Sequence, residues 1–298
     1  MRACHLVFCG LAAVVAPPLG AQAICSAPHS APTLAGGGGL QTLDPGAGWV
    51  QLSILRQVSG RFFDPAGDRR PFLADGQVRT RSAYLTAAVG VIDGIDVWLQ
   101  VPLHDVRYQD QSGARSRAGI GDPRAAVRFG SAAIGASHVP LSIRAGLKLP
   151  GSGFPVDATI IPLGEGQADV ELSLESGVGF GGGAVQYLTG WVGYRRRFEN
   201  AARDRKPGDE LFAHLAVGGR VYGLHLELAA EALRGGTPEQ LGFAVPGSSR
   251  DLFQLSPTIG SRVGPGTLEA TALVPIAGAN LPTGPAGSVG YRIAWGGW

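Results

Sequence analysis

The chain has 298 residues, 45% hydrophobic and 16% charged, with 47 Gly, 21 Pro, 3 Cys and a formal net charge of +2. Charge this sparse excludes a charged disordered chain, and Gly at roughly twice its usual ~7% disfavours a helical domain, since Gly and Pro are the poorest helix formers. The near-neutral balance also lacks the basic footprint of a nucleic-acid binder.

Met1 and Arg2 precede an apolar run from Leu6 to Ala16 and the triplet Ala21-Gln22-Ala23, which together predict a cleaved export signal over residues 1–23. Pro17, Pro18 and Gly20 interrupt that run at about half the ~20 residues a membrane anchor needs. Cleavage removes Cys4 and Cys9 and leaves Cys25, so no intramolecular disulfide is expected. Ile24 argues against acylation of that cysteine, because a lipoprotein needs a small residue there. Residues 24–48, rich in Gly, Ala and Pro, are expected to form a flexible periplasmic tail or a plug, and residues 49–298 a single folded unit.

Period-two alternation then predicts about twelve strands, near residues 49–57, 78–91, 95–108, 122–131, 140–149, 167–180, 184–198, 210–221, 224–233, 252–263, 266–274 and 288–295. The clearest is 141–149, where Leu141, Ile143, Ala145, Leu147 and Leu149 oppose Ser142, Arg144, Gly146 and Lys148. Most runs are near the ~9 to 11 residues with which a tilted strand crosses a bilayer. Short turns at 93–94, 134–137, 181–183, 222–223 and 264–266 alternate with long segments at 58–77, 109–121, 150–166, 199–209, 234–251 and 275–285. A soluble sandwich has no reason to lengthen every second connection. The expected fold is therefore an all-β, antiparallel transmembrane β-barrel in the outer membrane, with short periplasmic turns and long extracellular loops.

In such a barrel the apolar face meets lipid and the polar face lines the lumen. That rule assigns to the lumen Arg79, Arg81, Asp96, His104, Arg124, Arg128, Arg144, Lys148, Asp169, Glu171, Glu175, His214, Arg220, His225, Glu227, Glu231, Arg262, Glu269 and Arg292. A dry core could not hold so many ions, whereas a watered or salt-bridged wall can. The strand with Arg144 and Lys148 leads into the strand with Asp169, Glu171 and Glu175, so opposite charges should meet across the ladder and narrow the lumen. These five, with Arg128, His214 and His225, are the candidate constriction residues. Trp49, Trp98, Trp191, Trp295, Tyr84, Tyr108, Tyr187, Tyr194 and Tyr291 are expected as membrane-interface anchors. Val289, Tyr291, Ile293 and Trp295 form an alternating outward set like the terminal strand read by the barrel insertion machinery. Trp298 falls in the opposite phase after Gly296 and Gly297 unless a glycine bulge restores it.

Chemistry is sparse. The Gly-rich stretches at 36–39 and 181–183 lack the strand–glycine–helix context of a phosphate site. His104, His138, His214 and His225 are too spread for a metal set, and neither metal nor cofactor is expected. A hydrolase pairing His214 with Ser173 or Ser256 has no supporting local motif, so the chain is not read as an enzyme.

Three blocks carry a family resemblance: Gly119-Ile120-Gly121-Asp122-Pro123-Arg124, the run LSIRAGLKLP from Leu141 to Pro150, and Gly164-Glu165-Gly166-Gln167-Ala168-Asp169-Val170-Glu171. They resemble the conserved blocks of the phenol-degradation meta-pathway outer-membrane family, over most of the chain from about Trp49. Pro150-Gly151-Ser152-Gly153 departs from that family's usual threonine-glycine continuation. The resemblance implies an exported barrel that takes up small, often aromatic or hydrophobic compounds, with no established catalytic residue. The expected function is passive passage of small solutes through a charged lumen, and the expected partners are outer-membrane lipid, the solute and the insertion machinery. The alternative is a non-conducting structural or ligand-binding outer-membrane barrel, plugged by its own side chains or by the tail.

Overall fold

The computed structural model describes residues 42–135, 140–151, 163–180 and 183–296, and almost all its regular structure is strand. The main sheet comprises β1 (Gly48–Ser59), β2 (Gln77–Ile92), β3 (Ile95–Asp110), β4 (Gly113–Ile120), β5 (Arg124–Gly130), β6 (Leu141–Lys148) and β7 (Asp169–Gly179). It continues with β8 (Tyr187–Arg197), β9 (Glu210–Val221), β10 (Leu224–Gly235), β11 (Asp251–Val263), β12 (Gly266–Ala279) and β13 (Ala286–Trp295). β4 and β5 both pair with β3 and are two halves of one stave, broken at Gly121-Asp122-Pro123, where proline has no N–H for the ladder. β1 pairs antiparallel with both β2 and β13, so the sheet closes as a twelve-stave barrel.

The connections alternate in length as the sequence implies. Tyr222 and Gly223 both sit at positive φ (50° and 81°), the conformation that joins two twisted strands in two residues. At the other end, small three-stranded sheets knit the long loops together. One uses Arg61–Phe63, Arg69–Pro71 and Leu281–Pro282, and the other Arg205–Lys206, Glu239–Gln240 and Phe243–Ala244. The expected loop at 109–121 is instead a hairpin that carries the ladder above the membrane. Asp110 Oδ1 accepts from the Ser112 amide and hydroxyl (2.8 and 2.6 Å) to make its tip. Backbone pairing rather than apolar burial holds this hairpin, so β4 shows no apolar alternation. β12 likewise runs on to Ala279, past the expected end at 274.

The outward row is an apolar belt: Leu52 and Ile54 on β1, Leu99 and Leu103 on β3, Leu172 and Leu174 on β7, Leu211 and Leu215 on β9, and Val289 and Ile293 on β13 are all exposed. In water this surface would drive aggregation, and in a bilayer it meets its own kind. Tyr291 lies in the same outward row, and Trp295 is exposed at its end. Residues 1–41, with the signal, Cys25 and most of the tail, lie outside the described residues, as do Trp298 and His138 and parts of the turns at 134–137 and 181–183.

Two sets of expected positions are corrected. Arg79 and Arg81 face outward and are exposed, because the lumen-facing parity of β2 is set by buried Val78, Thr80, Ser82 and Thr86. They sit beyond the apolar belt, where water is available. Trp49, Trp98, Trp191 and Tyr187 are buried in the lumen rather than at the interface, and Tyr84 and Tyr108 share the inward parity of their strands. A twelve-stave interior has space to fill, and large rings fill it.

Candidate functional site

The lumen is lined by charge, most of it drawn into one ion-pair network. Among the described residues, Arg124, Arg128, Arg144, Lys148, Arg195, Arg197 and Arg250 engage Asp96, Asp122, Glu165, Asp169, Glu171, Glu175 and Glu210 in ion pairs. Seven cations meet seven anions, so the network is neutral, as it must be if most of its members are withdrawn from water.

Toward the periplasm, Arg128 forks onto Asp96 (2.5 Å) and reaches Glu175 at 3.7 Å, and Arg144 meets the same Glu175 at 2.6 Å. Toward the outside, Lys148 lies directly across the ladder from Asp169 and holds it at 2.8 Å. Glu171 is opposite Gly146 and turns sideways to Arg195 (2.7 Å) and Arg124 (3.5 Å). Glu210, fully buried, gathers Arg195 (2.5 Å), Arg197 (3.1 Å) and Arg250. The expected meeting of the Arg144 and Lys148 strand with the Asp169, Glu171 and Glu175 strand is therefore present for Lys148–Asp169 and Arg144–Glu175.

Two members do not come from the wall at all. Arg250 belongs to the long loop before β11, and Glu165 to the segment 163–168 that precedes β7. Glu165 accepts from Lys148 Nζ at 2.6 Å, from Arg250 at 3.1 Å and from Arg197. Its backbone carbonyl accepts from Asn200 Nδ2 (3.0 Å) and its amide donates to Asp122 Oδ2 (2.8 Å). Burial alone would push the Glu165 carboxyl up, but the facing Arg197, Lys148 and Arg250 outweigh it and hold it well below the usual range. Two residues earlier, Leu163 is buried in an apolar nest with Val78 of β2 and Val106 of β3. Segment 163–168 is thus a strap across the outer mouth, anchored in β2–β3 on one side and among Lys148, Arg197 and Arg250 on the other.

The strap explains the three sequence blocks. Asp122 of the first accepts from the amides of Gly151 (3.2 Å) and Glu165 (2.8 Å) and faces Lys148 of the second at 3.4 Å. At Gly164 of the third, a Cβ would lie 2.0 Å from Asp122 Oδ1, so only glycine lets the strap pass. The periplasmic mouth has its own cover. The Leu43 amide donates to Asp96 Oδ2 (3.1 Å), and the Leu43 side chain packs with Trp49, Ala88, Trp98 and Ala126.

Between the covers, Trp98, Trp191 and Phe212 share the wall of a small internal cavity, about 20 Å³, with Arg124, Arg144, Glu171 and Ser173. His214 and His225 lie in the lumen but outside the ion network. His214 stacks flat on Trp191 (centroids 3.7 Å apart, 5°) and faces Glu231 at 3.4 Å. His225 Nε2 meets the Tyr187 hydroxyl (2.7 Å), which donates to Glu227 (2.6 Å). Among the described residues neither His214 ring nitrogen nor the Ser256 hydroxyl has a hydrogen-bond partner, so His214 is not paired with Ser173 or Ser256 there. No group of three or more His, Cys, Asp or Glu among the described residues is placed to hold a metal ion. Sequence reasoning missed Arg195, Arg197 and Glu210, although each shares the inward parity of its strand, and Asp122, Glu165 and Arg250. Arg250 carries no periodic signal, and Glu165 lay in a block noticed only for its resemblance.

A closed antiparallel barrel, apolar outside and charged within, defines a transmembrane barrel of the outer membrane. No family model matches the chain, and no curated protein matches it. Solved structures do. An outer membrane channel from Pseudomonas putida F1 superposes with a TM-score of 0.66 at 16% identity, over 87% of this chain and 98% of that one. The β domain of the Bordetella autotransporter BrkA gives 0.52 at 12% identity, over 85% of this chain and 100% of that one. At these identities the likeness is one of fold, and this chain spans both almost end to end.

Proposed function

We propose that the protein is an outer-membrane channel for small solutes whose resting state is closed by ion pairs and opened by release of the strap at 163–168. The observation that carries this reading is Glu165: a loop residue forms the hub of a network otherwise built mostly from the barrel wall. A permanent filler needs no loop residue at its centre, whereas a gate needs a removable one. The channel from Pseudomonas putida F1 supports the class by its fold.

When the strap leaves, Lys148, Arg197 and Arg250 lose a shared anion and take up water instead, and solute can pass along the charged wall. Arg144, Lys148, Asp169, Glu171 and Glu175 then select by sign and size. Trp98, Trp191 and Phe212 offer ring faces beside Arg124 and Arg144, which suits small amphipathic aromatic solutes, the acids in particular. The outward terminal set Val289, Tyr291, Ile293 and Trp295 serves recognition by the insertion machinery. The test is liposome swelling and planar-bilayer conductance on the refolded mature chain, with neutral sugars and aromatic acids of graded size. Brief openings whose frequency rises in Glu165→Gln support the reading, and an electrically silent, correctly folded barrel in both forms refutes it.

A further inference from the structure

The inward arginines described above are paired, but a group of outward ones is not. Arg56 on β1, Arg79 and Arg81 on β2, and Arg107 on β3 are exposed and project from the outer wall at its long-loop end. Arg56 is register-paired with Arg81, and Arg79 with Arg107. With strands ~4.8 Å apart and next-but-one residues ~7 Å apart, the Cα atoms of the four arginines fall within about 12 Å of one another. Arg56, Arg81 and Arg107 have no hydrogen bond or ion pair among the described residues, and Arg79 bonds only to Gln77. The single acid in the patch is Asp105, opposite Arg81. By contrast, outward Arg196 on β8 has Asp209 at 4.0 Å, and Arg234 on β10 is register-paired with Asp251.

The position is as telling as the charge. Along each strand the apolar row stops where the charges begin: Ile54 gives way to Arg56, Ala83 to Arg81, Leu103 to Asp105 and Arg107. That is the level of lipid headgroups at the outer surface. Next to it the apolar belt is hollowed. A lipid-facing groove of about 810 Å³ has Leu226, Leu228, Ile259 and Val289 among its walls and Ala272 and Gly287 in its floor. Ala272, Gly287 and Arg56 lie in one register row, so the groove reaches the arginine patch.

We propose that this face binds a phosphorylated, acylated glycolipid of the outer leaflet, its phosphate monoesters on Arg56, Arg79, Arg81 and Arg107 and an acyl chain in the groove. The guanidinium fork matches phosphate in geometry and charge, and the hollow matches a flexible hydrocarbon chain. The proposal rests on the orientation that the channel reading assumes, long loops outward.

Native mass spectrometry of the detergent-solubilised mature chain, with lipid A, dephosphorylated lipid A and inorganic phosphate as separate probes, tests it. Wild type should retain lipid A and release the dephosphorylated form. Arg56→Gln, Arg81→Gln and Arg107→Gln combined should bind lipid A about tenfold more weakly. Gly287→Leu, where a Cβ meets nothing within 4 Å, should fold, fill the groove and weaken lipid A binding too. If the triple variant does not fold, by heat-modifiable mobility, Gly287→Leu carries the test. Equal retention by wild type and variants, or inorganic phosphate competing as well as lipid A, overturns the site. Neither variant touches the lumen, so conductance should be unchanged, and failure of the channel reading would show there instead.

Discussion

Glu165→Gln removes one charge from the hub of the outer-mouth network and almost no volume. In the wild-type chain that carboxylate answers three cations whose side chains are 1 to 5% exposed: Lys148, Arg197 and Arg250. Stranding buried charges by removing a partner costs roughly 3–5 kcal/mol; Glu165 is itself 17% exposed at a mouth that water can reach, so about 2–3 kcal/mol is the better figure. The cost falls on the closed state alone, because the open state hydrates these groups. At about 1.4 kcal/mol per tenfold, the open-to-closed ratio should rise roughly 30- to 100-fold. Single-channel recording at neutral pH reads that ratio directly. Acid should act on the same group. Its folded pKa lies well below the ordinary 4.5, so ionisation stabilises the strap fully above about pH 4.5, and the contribution is lost as pH falls through the lowered value. Wild type should stay closed from about pH 8 to pH 5 and open more often in stronger acid, while Glu165→Gln should show its raised open probability across that whole window. A folded Glu165→Gln barrel with wild-type open probability would refute the strap as the gate.

Three further outcomes follow from the same geometry. Neutralising Arg144 and Lys148 together leaves the lumen network with five cations against seven carboxylates, so reversal potentials across a salt gradient should move toward cation preference; an unmoved potential would take these two out of the permeation path. Gly164→Ala places a methyl against Asp122 and should loosen the strap by roughly 1–3 kcal/mol, raising open probability in the direction of Glu165→Gln without changing the lumen's charge. Deleting residues 24–47 removes the Leu43 anchor on Asp96 and its packing on the Trp49–Trp98 cluster, and liposome swelling should then speed up if the inner cover limits flux.

The barrel was legible in the sequence because each lipid-crossing strand must alternate, and the alternation survives as parity. Arg144, Lys148, Asp169 and Glu175 were placed correctly by parity alone. Parity does not say where the membrane stops. Arg79 and Arg81 alternate with Val78, Thr80 and Ser82, too mixed a row to fix which face is inward. The interface tryptophans failed for a related reason: Trp98 and Trp191 fill an interior as well as they anchor a surface, and only the phase of the neighbouring apolar row decides. Glu165 and Arg250 lay beyond periodic reasoning because loop residues reach the lumen by tertiary path. The blocks around Asp122, Lys148 and Glu165 did carry a signal, since three separated segments that share glycines and opposite charges are candidates to meet.

Filling the lumen with ion pairs rather than aliphatic side chains has an energetic consequence for gating. An apolar plug gains about 25 cal/mol for each Å² hidden from water, so withdrawing even a few hundred Å² would cost several kcal/mol with nothing returned. Buried ion pairs sit near balance, because the attraction between Lys148, Glu165 and Arg197 is offset by the hydration they forgo. When the strap lifts, water repays each separated charge. In the gating proposed above, closed and open states would thereby be held within a few kcal/mol of each other, a gap that one loop carboxylate could control. A lumen closed this way would exclude solute at rest and need no large input to admit it.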